Sequence, residues 1–504
     1  MRNDLSTATD DLTVTAKRPA LAGRQPPAPR PRLAQWAHDA PRLTLALTLL
    51  ALCVTFAPMR PGVTTYLLSA AQARAAQRYD LALALYAEAH TANTADARPL
   101  CASGDVYTLQ GETKAAIAAY RACVTLAPSD GSAWLRLGDA LASANDDAAA
   151  VSAWQRGGAA GDVTAYYRLA ERATALGQFD EAARWWAKAP NDDIQAQSHL
   201  GLLALAQGDV VAARAHLIVA NGASGAFASQ LRAAGVYQLV LRPPTSAADE
   251  VNIGYALLTL GEPTLALAPL RRAVQLAPTN GAARAYYGWA LWALGQTSAA
   301  RPQIAAGVHY DPALPFALYA AGEVALADGQ AGEALARFET ALEVSPHNPA
   351  LWSAAGDAAL ARVDYVTARL SYANAAQNSD DPAYTISLVR FYLDHGLGAS
   401  DGSAIQAAIA ATQRFPKNET LAFLLGRLYL SQSNKIDAFY AFTTAASLDP
   451  TDPGPWFYLG TYNASVGNVV PAVVDLRTAL ALQPTGPYAK QARSALASYS
   501  GDTL

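Results

Sequence analysis

Residues 419–452 carry a pattern of apolar and polar positions that most of the chain repeats. Leu425 and Tyr429 stand four apart, which places them one turn apart on one helical face. Gly426 lies between them, where a second helix can come close. A polar break follows at 431–437. Ala438, Phe442 and Ala445 then recur at spacings of four and three, again a helical face. Leu448, Asp449 and Pro450 close the unit, because proline cannot continue a helix and restricts the residue before it. The pattern predicts one helix–turn–helix of 34 residues, with the first helix near positions 3–14 and the second near 17–30 of the unit.

The same frame recurs along the chain. Pro278, Pro312 and Pro346 are 34 residues apart, as are Gly254, Gly288, Gly322 and Gly356. Glycine at position 8, alanine at position 20 and proline at position 32 mark most units. The unit at 63–96 fits weakly, with Tyr66, Ala70, Ala82, Tyr86 and Ala89 in place. Residues 221–246 break the frame and offer one candidate helix, 226–241, ended by Pro243 and Pro244. This reads as a degenerate repeat dividing an N-terminal array (63–220) from a C-terminal one (247–486). Residues 487–504 form a capping helix and tail, as such stacks need for solubility. Pro269 and Pro302 fall inside second helices and are expected to kink them.

Trp134, Leu137, Gly138, Ala150 and Trp154, with the periodic prolines, give the chain its resemblance to the tetratricopeptide repeat family, whose signature has period 34. The resemblance implies an all-α, right-handed superhelical solenoid whose first helices line a concave groove. In that family positions 2, 5, 9, 12 and 13 of the first helix face the groove. Carried over, these positions hold Tyr255, Trp289, Trp292, Phe316, Tyr319, Glu323 and Asp357 in the middle units. Packing of Trp289 and Trp292 within or between repeats is the alternative. Asp105, Asp139 and Glu171 hold position 9 or its neighbourhood in earlier units, so the groove leans acidic; Arg74, Arg98 and Arg427 are the basic exceptions. An aromatic and acidic groove suits an extended peptide, apolar with basic residues. The Lys/Asn clamp by which some members of the family grip a C-terminal carboxylate is absent: positions 5 and 9 read Cys101/Asp105, Leu135/Asp139 and Tyr319/Glu323.

Ahead of the repeats the pattern changes. Residues 1–42 read as a disordered Pro/Arg-rich arm; between 15 and 42, six basic residues face one acid. Residues 43–59 carry no charge, and 17 helical residues span about 25 Å, the short end of what crosses a bilayer. A cleaved signal peptide is the rival reading, since 55–57 is A-x-A-like, but Pro58 would follow the cut. The expectation is an uncleaved transmembrane signal anchor, with the basic arm inside and the repeats on the outer face of a cytoplasmic membrane, in a bacterium.

Composition adds exclusions. A formal net charge of −4 does not suit a nucleic-acid binder. Cys101 and Cys123 fall in one repeat and are able to pair, but two small buried thiols are the expectation. No H-E-x-x-H, phosphate-loop or G-x-S-x-G motif occurs, so neither metal, cofactor nor catalytic residue is expected. Asp146-Asp147, Asp192-Asp193 and Asp380-Asp381 read as helix starts, and the glycine-rich run 396–402 as a long turn. The function expected is a non-enzymatic, membrane-anchored scaffold for protein–protein interaction in envelope assembly or secretion. The alternative is an accessory subunit of a cell-surface polysaccharide synthesis or export system that contacts glycan.

Overall fold

The computed structural model describes residues 62–221, 225–398, 402–483 and 486–499, and every regular element among them is a helix. The 34-residue frame appears as helix pairs. The first half holds α1 (Val63–Ala75) with α2 (Tyr79–Ala92), α3 (Arg98–Leu109) with α4 (Thr113–Leu126), α5 (Gly131–Ser143) with α6 (Asp147–Ala159), α7 (Val163–Ala175) with α8 (Phe179–Trp186), and α9 (Ile194–Gln207) with α10 (Val210–Asn221). Two short helices follow, α11 (Ala226–Ala233) and α12 (Val236–Leu239). The second half holds α13 (Ala247–Thr259) with α14 (Pro263–Leu276), α15 (Gly281–Ala293) with α16 (Thr297–Tyr310), α17 (Pro315–Ala327) with α18 (Ala331–Val344), and α19 (Pro349–Ala361) with α20 (Tyr365–Gln377). It continues through α21 (Pro382–His395) with α22 (Ser403–Arg414), α23 (Glu419–Ser431) with α24 (Lys435–Leu448), and α25 (Pro453–Ser465) with α26 (Val469–Leu482), to α27 (Ala489–Ala497). Within each pair the helices pack on one another, and each second helix meets the next first helix everywhere except at the break. The result is an all-α solenoid. The arm at 1–42 and the apolar span at 43–59 lie outside the described residues. Among the described residues no helix is long and apolar enough to cross a membrane.

Three recurring contacts explain why the sequence period becomes a structural one. The glycine at position 8 faces the large residue at position 24 of its own unit. A Cβ on Gly138 would overlap Trp154, on Gly254 Leu270, on Gly322 Phe338 and on Gly426 Phe442. The first helix is thus notched where the second presents its bulkiest side chain, and the pair closes without a void. The alanine at position 20 lies in the tightest part of each pair, and from Ala82 to Ala472 none of these alanines exceeds 1% exposure. The third contact crosses the unit boundary. Trp134, Trp352 and Trp456, at position 4, donate their indole N–H to the carbonyls of Pro128, Pro346 and Pro450, at 2.9, 2.7 and 3.0 Å. Where Arg284 replaces tryptophan, its Nε donates to the Pro278 carbonyl at 3.0 Å, so the bond survives the substitution.

The turn inside each unit needs one left-handed residue, at position 15. Glycine takes it at 111, 261, 295, 329 and 467, where φ lies between +72° and +82°. Val363 takes it at φ +60°. A β-branched side chain is costly there, and Val363 is 64% exposed, so no packing compensates. Val363→Gly is expected to raise stability by about 1 kcal/mol, measured by chemical denaturation; an unchanged or lower midpoint would mean that the lost chain entropy outweighs the relieved strain.

Two sequence expectations are corrected here. The candidate helix 226–241 is two short helices, because Gly235 turns left-handed at φ +69° after α11 ends. Cys101 and Cys123 are joined in a disulfide, not a pair of thiols, with Cα atoms 5.3 Å apart. Their helices, α3 and α4, belong to one unit, and position 5 faces position 27 across it; the sequence spacing of 22 does not reveal this. Pro269 and Pro302 lie inside second helices as the frame places them, and α14 and α16 each continue past the proline as one element. The paired aspartates do start helices: Asp146, Asp193 and Asp381 accept the first-turn amides of α6, α9 and α21.

At the break the packing partners change. The second helix α10 meets α11 and α12, while α14 packs against the first helices α7 and α9. Helix α9 is consequently buried around much of its circumference, from Leu200 to Ala206. Arg272 of α14 holds the joint. Its guanidinium pairs both carboxylate oxygens of the buried Glu250 at 2.9 Å and donates to the Ala206 carbonyl, near the C-terminus of α9, at 2.9 Å. Ser246 and Asp249 form a capping box that starts α13 just after the break.

Candidate functional site

The position-9 residues of the first helices divide the chain into two chemical regions. In the first half these acids are fully engaged. Asp105 accepts from the Tyr120 hydroxyl at 2.9 Å and from Arg136 Nη1 at 3.2 Å, with Arg74 at 3.4 Å. Asp139 accepts from Trp154 Nε1 at 3.0 Å and Arg168 Nε at 3.2 Å. Arg136 and Arg168 occupy position 6 of the following units. Sequence reasoning passed over them because position 6 is not counted among the groove positions. The acidic lean read for this part of the groove is therefore largely neutralised by the chain's own cations. A cavity of about 440 Å³ here is lined by Arg98, Cys101, Asp105, Asp130 and Arg136, a set of mixed sign.

In the second half position 6 holds Tyr286, Ala320 and Ala354, and among the described residues no arginine pairs with Glu323 or Asp357. Asp357 accepts from the Tyr372 hydroxyl at 2.6 Å. Among the described residues no cation lies within ion-pair distance of Glu323 or Asp357. Loss of surrounding water, and then the charge of Asp357, raise the pKa of Glu323 above the usual carboxylate range. Loss of surrounding water raises Asp357 as well, against the Tyr372 hydrogen bond that lowers it. Asp357 keeps access to solvent, yet the protein around it displaces much of the bulk water. Burial, with Glu323 as the next cause, pushes Tyr319 up to about 12.

The sign of the linkage follows. A carboxylate whose folded pKa is raised favours the folded state at pH below the unfolded value and loses that contribution as pH rises through the folded value. Glu323→Gln is therefore expected to raise the melting temperature at pH 7 and to leave it unchanged near pH 3, where both forms are neutral. Equal melting temperatures at both pH values would show that Glu323 is better compensated than the geometry indicates.

Next to these acids lies a cavity of about 700 Å³ on the first helices α13, α15, α17 and α19. Tyr255, Tyr286, Trp289, Phe316 and Tyr319 supply its aromatic wall, and Thr259, Leu314, Pro315, Asn348, Ala350 and Leu351 complete it. The rings run in sequence. Tyr255 meets Tyr286 edge-on at 5.4 Å, Tyr286 stacks on Phe316 at 4.0 Å, and Trp289 stands across Phe316 at 6.1 Å and tilts to Tyr319 at 5.5 Å. Tyr255 is 51% exposed and forms the open edge. Of the seven groove residues named from sequence, Tyr255, Trp289, Phe316 and Tyr319 line one cavity. Glu323 and Asp357 adjoin it beyond Tyr319. Trp292 does not line it: its ring packs against the Leu291, Ala300 and Ile304 cluster, with the Arg301 guanidinium 5.7 Å from its centroid. One turn beyond Trp289, position 12 leans toward the paired helix α16. Tyr286, absent from that set, is the ring that joins Tyr255 to Phe316. The adjacent Tyr286-Tyr287 pair just before Gly288 was the available signal. Among the described residues no group of three or more His, Cys, Asp or Glu is placed to hold a metal ion.

Comparison with known proteins places this geometry in context. Residues 101–162, 251–315 and 319–383 match the family profile for the tetratricopeptide repeat. No curated protein matches the chain. Among solved structures, yeast Tom70 is similar at 15% identity and a TM-score of 0.35, covering 87% of this chain and 95% of that one. The Cut9–Hcn1 hetero-tetramer of the APC/C is similar at 15% identity and a TM-score of 0.34, covering 90% and 99%. YrrB, described as a tetratricopeptide protein with an unusual peptide-binding site, is similar at 16% identity and a TM-score of 0.31, covering 38% and 97%. The second and third profile matches contain Tyr255, Tyr286, Trp289 and Tyr319 of the cavity wall, and Phe316 falls in the short gap between them. Over the three segments that the profile matches, the chain carries tetratricopeptide repeats.

Proposed function

We infer that the protein is a non-enzymatic scaffold whose first helices α13, α15, α17 and α19 hold an extended peptide of a protein partner. The observation that carries this reading is the continuous aromatic wall from Tyr255 to Tyr319, set beside two acids that pair with no cation among the described residues. Large rings already ordered by one another lose little entropy on binding, and acids left unpaired favour a ligand with lysine or arginine. A glycan-contacting role in polysaccharide synthesis or export is less well supported by the same wall. Sugars stack on open ring faces, and Tyr286 and Phe316 already cover each other at 4.0 Å.

The reading extends to location. The charge-free span at 43–59 anchors the chain in a cytoplasmic membrane, with the basic arm inside and the repeats outside, where they serve envelope assembly or secretion. The Cys101–Cys123 disulfide supports this side, because such bonds persist in oxidising compartments and are rare in the cytosol. Two experiments test the proposal. A pull-down with the whole chain and with Trp289→Ala should lose its partners in the variant; identical recovery would remove the groove from the function. A reporter active only outside the cytoplasm, fused after residue 504, should be active; a silent reporter in a stably expressed fusion would reverse the topology.

A further inference from the structure

The aromatic cavity and the acidic pair share one wall, and this fixes a spacing. The cavity lining holds no charged side chain. Tyr319 belongs to that lining and also feels the charges of Glu323 and Asp357. Glu323 stands four residues after Tyr319 on α17, one helical turn or about 6 Å along the axis. Asp357 lies on α19, the next first helix, and neighbouring helix axes are about 8–10 Å apart. An extended chain advances about 3.3 Å per residue. A cation held between Glu323 and Asp357 is thus about two or three residues from an apolar side chain seated in the cavity.

Resting on the peptide-groove reading above, we propose that the ligand is an extended peptide segment bearing an apolar side chain and a lysine or arginine two or three residues apart. The apolar side chain enters the cavity between Tyr286, Trp289 and Tyr319. The cation lies over Glu323 and Asp357 and takes the place that Arg136 and Arg168 fill beside Asp105 and Asp139 in the first half. There the chain supplies the cation itself; here it leaves the position open. The charge of Asp357 disfavours ionisation of Glu323 in the free protein, and the ligand's charge offsets that repulsion. The same acids repel an anionic ligand.

The test uses fluorescein-labelled twelve-residue peptides in an alanine–serine background, titrated into the full chain and read by anisotropy. One carries leucine and lysine three residues apart, the second leucine and glutamine three apart, and the third leucine and lysine nine apart. The first is expected to bind at least about tenfold more tightly than the other two. In Glu323→Gln that advantage should fall several-fold while the leucine–glutamine peptide is unaffected. Equal binding of the first and second peptides, or of the first and third, overturns the spacing while leaving the groove intact. Binding of none of the three overturns the groove reading itself.

Discussion

Arg272→Met is expected to cost about 3–5 kcal/mol of stability, because it leaves the buried Glu250 carboxylate without its cation. Glu250 has 8% of its side chain exposed and Arg272 31%, so the carboxylate is the group that suffers. The same change removes the bond to the Ala206 carbonyl and with it the tie between α14 and α9. A cation near a helix C-terminus is favourable in its own right. The double variant Glu250→Met/Arg272→Met should recover most of the loss, since replacing both members of a buried pair by apolar groups is often neutral. Denaturant titration gives the size and hydrogen exchange the place. Because contacts in such a stack are between neighbours, the lost protection should centre on α9, α13 and α14. A cost below about 1 kcal/mol, typical of an exposed ion pair, would show that apolar packing alone holds the two halves.

Phe338→Ala should cost about 3–5 kcal/mol, since the ring is fully buried and its loss leaves a cavity. Gly322→Leu should cost about 1–3 kcal/mol for the opposite reason, an overfilled notch against the same ring. The informative measurement is the pair. In Gly322→Leu/Phe338→Ala the leucine enters the space the ring has left, so the double variant should lose about 1–3 kcal/mol less than the sum. Additive losses would mean that the two positions relax independently and that the notch is not what seats the ring.

The repeat architecture was legible because each of its determinants is local. Gly322 and Phe338, or Pro346 and Trp352, lie within one unit or across one boundary, and every copy gives the pattern another reading. The site was legible only in part. Tyr255, Trp289, Phe316 and Tyr319 followed from the family's groove positions. Trp292 did not join them, because the direction of a side chain near a helix end depends on its neighbours on the paired helix, here Ile304 and Arg301. Tyr286 was missed for the converse reason: a position outside the usual set reaches the groove when a ring at position 2 of the next unit, Phe316, is there to stack on. The pairing of Asp105 with Arg136 and of Asp139 with Arg168 joins successive units, and Arg272 reaches Ala206 across 66 residues. The Asp–Arg pairs recur at positions 9 and 6 but only in these early units, and the Arg272 contact has no counterpart in the repeat frame.

The contact between positions 8 and 24 also bears on how such a chain can be inherited. The notch and the ring that fills it lie 16 residues apart inside one unit, so a duplication that copies whole units keeps them together. A crossover between the two helices of a unit would separate a glycine from its own large partner and join it to another unit's leucine, tryptophan or phenylalanine. The bond at the boundary makes no such demand. It runs from tryptophan or arginine to a backbone carbonyl, which every residue possesses. Joining units at the prolines is therefore expected to preserve the packing, and joining them between paired helices to disturb it, so that the array is expected to lengthen or shorten by whole units.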